Sequence, residues 1–248
     1  MHIEELGAGN ALLILHGTPS TGAMIRMIGE WLADESLAII PDLPGYRSSP
    51  FISPYSLENI RAALLDELAR RDIQELAIIG HSFGAYRALD LTLNSELNVT
   101  SLALLGAISH YPEELHQGIR DFADALRQNI DLCPIAAERW FSSSYRQAHP
   151  EILETLRIWW DQMDPETMAA DLEAMVACQD LRSGLPELDI PVYLRVGTAD
   201  LPTPPAWSEE IHELLPASTL DIVDGVGHFL HLEDPANTRK ALRSFFHS

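Results

Sequence analysis

The feature that most constrains this chain is a set of short apolar runs, rich in Leu, Ile and Val, that show no alternation of apolar and polar residues. They occupy residues 11–15, 37–40, 76–79, 101–105, 192–196 and 219–223. A strand with one wet face alternates, so continuous runs of this length predict strands covered on both faces, as in parallel sheets. Met24, Met27, Ile28, Trp31 and Leu32 repeat at helical spacing between the first two runs, and Leu57, Ile60, Leu64, Leu65 and Leu68 do so between the next two. Strand and helix in this order predict an α/β architecture with a mostly parallel, doubly wound sheet, whose chemistry sits at the carboxyl ends of the strands.

The alternation stops between Ser109 and Ile190, where about four helical patterns follow one another, punctuated by Pro112, Pro134, Pro150, Pro165 and Pro186. The expected organisation is a core of residues 1–108 and 191–248, with residues 109–190 inserted as a helical cap. Its apolar stripes are Leu115, Ile119, Phe122 and Leu126; Ile152, Leu156, Trp159 and Met163; and Met168, Leu172, Met175 and Val176. On the second stripe Trp159 is expected in the cap's own core. Trp160, about 100° further round the helix, is the candidate substrate-binding residue.

The run at 76–79 ends in Gly80-His81-Ser82-Phe83-Gly84 and passes into a helical pattern. A serine nucleophile held on such a turn needs minimal neighbours two residues away on each side, where a side chain would strike the adjoining strand or helix. The run at 192–196 leads through Gly197-Thr198-Ala199 to Asp200, and the run at 219–223 through Asp224-Gly225-Val226-Gly227 to His228. The chain order Ser, Asp, His predicts Ser82 as nucleophile, His228 as general base and Asp200 as the acid that orients it. Asp224 is the rival acid, with loop capping as its alternative role. His231 is expected to pack or hydrogen-bond locally and His81 to support the turn. The first run ends in His16-Gly17-Thr18-Pro19, which makes the amides of Thr18 and Phe83 the candidate oxyanion-hole donors, with His16 as a brace for the loop.

Together HGTP at His16, DLPGY at Asp42, GHSFG at Gly80, GTAD at Gly197 and GHFLHLEDP at Gly227 resemble the α/β-hydrolase superfamily, in the group with a helical cap, over nearly the whole chain. The resemblance implies an α/β-hydrolase fold and acyl transfer to water. Serine as nucleophile sets the chain apart from the haloalkane dehalogenases and epoxide hydrolases of that superfamily, which use aspartate. Proline iminopeptidases resemble HGGPG where this chain has HGTPS. Relatives begin with a longer amino-terminal hairpin, which leaves open whether this sheet loses a strand. They also carry a second glycine after DLPG, where this chain has Tyr46-Arg47-Ser48-Ser49.

Carboxylic ester hydrolysis through an acyl-enzyme is the leading expectation. Carbon–carbon bond hydrolysis, thioester hydrolysis, cofactor-free lyase chemistry, perhydrolysis and a non-enzymatic ligand sensor remain open on the same scaffold. No cofactor or metal is expected. With 37 acidic against 16 basic residues the 248-residue chain carries a formal charge of −21, a field that repels phosphate backbones and anionic membranes, so the expected partner is a small-molecule substrate and not nucleic acid or membrane. No run approaches the length needed to cross a bilayer, and no secretion signal is visible. Cys133 and Cys178 lack disulfide-framework or zinc spacing, which points to free thiols in the cytoplasm. The oligomeric state is not encoded in any of these features.

Overall fold

The structure, a computed structural model, describes residues 1–246. Seven strands form one sheet: β1 (His2–Leu6), β2 (Asn10–Leu15), β3 (Ser36–Asp42), β4 (Glu75–His81), β5 (Asn98–Leu105), β6 (Val192–Gly197) and β7 (Ser218–Val223). Their spatial order is β1-β3-β2-β4-β5-β6-β7. All neighbours are parallel except β1, which pairs antiparallel with β3. All six apolar runs are strands. The seventh, β1, has only Ile3 and Leu6 as large apolar residues and lies at an edge, so it left no continuous run to read.

The lack of alternation has a direct cause in the packing. Leu13, Leu15, Ile39, Ile78, Leu102, Leu104 and Leu194 face one side of the sheet, and Leu12, Ile14, Ala38, Ile40, Ile79, Ala103 and Leu105 face the other. Both sides are dry. The first is covered by α2 (Leu57–Ala69), α3 (Phe83–Leu93) and α9 (Pro205–Leu214), the second by α1 (Gly22–Leu32), α10 (Leu230–Glu233) and α11 (Pro235–Phe246). Each fully buried Leu or Ile contributes about 1.5–3 kcal/mol relative to exposure. β7 departs from the expectation of cover on both faces: it is the other edge, and Ile222 is exposed.

Five helices separate β5 from β6: α4 (Glu113–Arg127), α5 (Cys133–Trp140), α6 (Ser143–Ala148), α7 (Ile152–Trp160) and α8 (Pro165–Val176). Helix α8 starts where the sequence supplies a cap and a proline: the Asp164 carboxylate accepts the Thr167 amide at 2.8 Å, and Pro165 occupies the first turn. Met168, Leu172, Met175 and Val176 are buried as a stripe. Helix α7 differs from expectation. Its buried residues are Ile152, Leu156 and Trp160, while Trp159 is only partly covered. The helix ends at Trp160, so the buried line follows i, i+4, i+8 and the step through Trp159 to Met163 is not made within it.

The strand order reverses between β2 and β4: β3 lies on one side of β2, and β4 with all later strands on the other. In a doubly wound sheet the crevice outside the carboxyl ends at this reversal is where ligands bind.

Candidate active site

β4 and α3 meet at Ser82, whose backbone has φ 57° and ψ −126°. This is a conformation that non-glycine residues adopt at a cost of order 1–3 kcal/mol, and the surroundings hold it there. The Ser82 amide donates to the Leu105 carbonyl at 2.8 Å, tying the turn to β5. A Cβ on Gly80 would lie 2.4 Å from the Gly84 oxygen, and one on Gly84 would lie 2.3 Å from the Leu15 oxygen. Both contacts are with backbone that cannot give way, which is why the motif takes glycine at these positions. Phe83 is the first residue of α3, so its N–H has no partner within the helix and adds to the positive helix start.

The loops after β6 and β7 supply Asp200 and His228, both buried. The Asp200 carboxylate lies 2.8 Å from His228 Nδ1 through Oδ2 and 3.0 Å through Oδ1. It also accepts the Thr203 amide at 2.9 Å and the Thr203 hydroxyl at 3.0 Å. An acceptor on Nδ1 places the proton on that nitrogen and leaves Nε2 free to accept. Asp224 is exposed and accepts the Thr198 hydroxyl at 3.1 Å, away from the ring. Gly106, at the end of β5, has φ +59°, and a Cβ there would stand 2.8 Å from Thr203 Oγ1 and 3.0 Å from Asp200 Oδ2.

Three further histidines pack near this centre without sharing its bonds. His81 Nε2 donates to the His228 carbonyl at 2.9 Å, linking the serine turn to the histidine loop. His231 Nε2 donates to the Met24 carbonyl at 3.0 Å. His16 accepts the Leu43 amide on Nε2 at 3.0 Å and donates from Nδ1 to the Gly17 carbonyl at 2.9 Å, bracing the loops after β2 and β3. Burial is the main cause that pushes their pKa values down: His16 to about 3, His231 to about 4 and His81 well below its ordinary range, with the neighbouring His228 adding to the shift at His81.

The loop after β2 is fixed through a buried ion pair. The Thr18 hydroxyl donates to Asp171 Oδ2 at 2.6 Å, and the Tyr46 hydroxyl donates to the same oxygen at 2.8 Å. Arg87, on α3, pairs with the other oxygen of Asp171 and also donates to Thr18 Oγ1 at 3.1 Å. Asp171 belongs to α8, so the helices between β5 and β6 hold the same loop that carries Thr18.

Comparison with known proteins fits this geometry. A family model described as the alpha/beta hydrolase family matches residues 12–241. The chain belongs to the alpha/beta hydrolase family. The hydrolase is 26% identical to a pimeloyl-[acyl-carrier protein] methyl ester esterase of Vibrio vulnificus (strain YJ016), an alignment that covers 99% of this chain and 97% of that protein. Its fold matches a thermophilic esterase from Thermogutta terrifontis with a TM-score of 0.90 at 26% identity, covering 99% of this chain and 92% of that one. It also matches the enol-lactonase of Burkholderia xenovorans LB400 with a TM-score of 0.90 at 20% identity, covering 100% and 96%, a likeness of fold.

In the hydrolase, Ser82, His228, Thr18 and Phe83 line one cavity that is partly open to solvent. Asp200 stands behind the histidine. Ile108, Tyr111, Trp140, Met175 and Phe229 complete most of the lining. Trp160 does not line it, contrary to the expectation from its helical position. It is buried behind Trp140, with ring centroids 6.0 Å apart, because α7 turns its i+8 position inward against α5. Trp160→Ala should therefore lower stability by about 3–5 kcal/mol, while Trp140→Ala should shift the profile over a series of ester chain lengths. Thermal melts and kinetics on the two variants separate these roles.

Several contributors went unread in the sequence. Glu233, inside GHFLHLEDP, accepts the amides of Gly227 and Ser142, each at 3.0 Å, and the Ser142 hydroxyl at 2.5 Å. It joins the loop bearing His228 to the helices between β5 and β6, as does the His228 amide donating to the Trp140 carbonyl at 2.8 Å. The Asp200-to-Thr203 spacing is an Asp turn visible in retrospect. The Arg87–Asp171 pair spans 84 residues, a separation at which no local pattern speaks.

Proposed function

We propose that the hydrolase cleaves carboxylic esters through a Ser82-bound acyl-enzyme. The observation that carries this reading is a serine on a left-handed turn at the sheet's reversal point, lining one cavity with a histidine whose Nδ1 is held by a buried aspartate. Attack by Ser82 Oγ on the ester carbonyl passes its proton to His228 Nε2, and Asp200 stabilises the imidazolium. Negative charge gathers on the carbonyl oxygen, and in this reading the amides of Phe83 and Thr18 are the donors that stabilise it. His228 then protonates the departing alcohol. Water repeats the sequence and releases the acid.

The similarity to esterases, one of them named for the methyl ester of pimeloyl-[acyl-carrier protein], supports an ester as substrate. The helices between β5 and β6 act in this reading as the cap over the cavity. Free thiols at Cys133 and Cys178 suit the cytoplasm. Among the described residues no helix is long and apolar enough to cross a membrane.

A fluorophosphonate probe is expected to label the wild-type protein once, on the peptide that contains Ser82, and to leave Ser82→Ala unlabelled. A p-nitrophenyl ester should give a burst of nitrophenol matching the enzyme concentration when deacylation is slow. Labelling at another residue, or retained turnover in Ser82→Ala, rejects the assignment.

A further inference from the structure

We infer that the site takes uncharged esters and rejects those that carry a carboxylate a few bonds from the scissile carbonyl, an inference that rests on Ser82 being the nucleophile. The apolar lining of the cavity comes from Ile108, Met175 and Phe229 and from the rings of Tyr111 and Trp140. Among the described residues no lysine or arginine lines it. Its polar side chains besides Ser82 are the hydroxyls of Thr18, Ser20, Tyr111 and Thr203, the indole of Trp140 and the two imidazoles of His81 and His228. Burial keeps His81 neutral, and its Nε2 proton is committed to the His228 carbonyl.

A cation does stand close to the site, behind Phe83 and Thr18. Arg87 is 3% exposed, and its guanidinium lies 4.6 Å from the centre of the Phe83 ring, on which it packs. Its charge is already matched by the buried Asp171, and it further donates to Thr18 Oγ1 and the His16 carbonyl. Turning it toward a substrate would leave Asp171 buried without a counter-ion. A carboxylate entering the cavity would therefore give up part of its hydration for neutral O–H and N–H donors alone, and a buried charge without a counter-ion is among the most expensive groups a protein can hold. The formal charge of −21 on the chain adds a repulsive field outside the mouth.

The test compares methyl butanoate with monomethyl succinate, which replaces the terminal methyl of the same four-carbon acyl chain by a carboxylate. For the wild-type enzyme near neutral pH, kcat/KM should be at least ~100-fold lower for the hemi-ester, since burying a charge without its partner costs several kcal/mol. Dimethyl succinate, uncharged and of similar size, should be cleaved once and stop, releasing one equivalent of acid in a pH-stat. The ratio should survive about 0.5 M NaCl, because screening acts on the surface field and not on the dry wall. A ratio below ~100-fold, a dimethyl succinate reaction that runs on to succinate, or a ratio that collapses in salt overturns the inference. If Ser82 takes the fluorophosphonate but no member of the set is cleaved, the inference falls and the nucleophile stands. If Ser82 takes no label and nothing is cleaved, the reading of Ser82 itself falls.

Discussion

Asp200→Asn is expected to lower kcat by about four orders of magnitude while the protein remains folded. The carboxylate accepts from His228 Nδ1 at 2.8 and 3.0 Å and from Thr203 twice. An amide at this position can offer its NH2 group to the ring, which favours the tautomer with the proton on Nε2. A histidine in that form cannot accept the Ser82 proton. The same change at Asp224 removes a charge but only one exposed contact, to Thr198, and should alter kcat by no more than about twofold. Steady-state kinetics on both variants, with circular dichroism to verify folding, distinguish the two acids. Greater damage in Asp224→Asn would show that the acid had been misassigned.

This separation of the two aspartates could be read in the sequence because GTAD and the run to His228 place each residue in a strand–loop context. Five of the six strands read from apolar runs were legible for a related reason, leucine and isoleucine on consecutive positions serving both faces of a covered sheet, while β7 gave the same pattern at an edge with Ile222 exposed. Legibility failed where the deciding contacts were remote in the chain. β1 pairs along the sheet's edge through its backbone, so its polar sequence carries little signal. Trp159 and Trp160 differ by one position on a helix of nine residues, and which of them is buried depends on where α5 lies against α7. Asp171 and Glu233 gave no signal either, since surface acids are common and their partners, Arg87 and Ser142, lie far away in sequence.

Acidification from pH 7 to pH 5 is expected to remove as much as about 6 kcal/mol of stability, with His16, His81 and His231 each contributing about 2 kcal/mol. All three are buried and neutral, with folded pKa values at about 3, well below the ordinary range, and at about 4. Once unfolded, each titrates near 6.5. Between these limits the unfolded chain binds protons that the native state refuses, so stability rises with pH. The contribution is fully present above about pH 6.5 and is lost progressively as pH falls toward the folded values. Guanidinium chloride denaturation at several values between pH 7 and pH 5 should give a slope approaching three protons per molecule at the acid end of that range. His231→Gln should reduce the slope by one. A slope unchanged by that substitution would mean that His231 is not buried in its neutral form.

The five helices between β5 and β6 look like a module that recombination could exchange among relatives, since they enter and leave at neighbouring strands. Their polar ties argue otherwise. Lifting them off the sheet strands Arg87 without Asp171, the Thr18 loop without its anchor, and Glu233 without Ser142. Losing one partner of a buried ion pair alone costs about 3–5 kcal/mol, a large share of the stability of an ordinary domain. These helices and the rest of the chain therefore form one energetic unit. A chimera that imports only the five helices should fail to fold, or should fold with the Thr18 loop displaced, unless its recipient already carries the partners that Arg87 and Glu233 supply here.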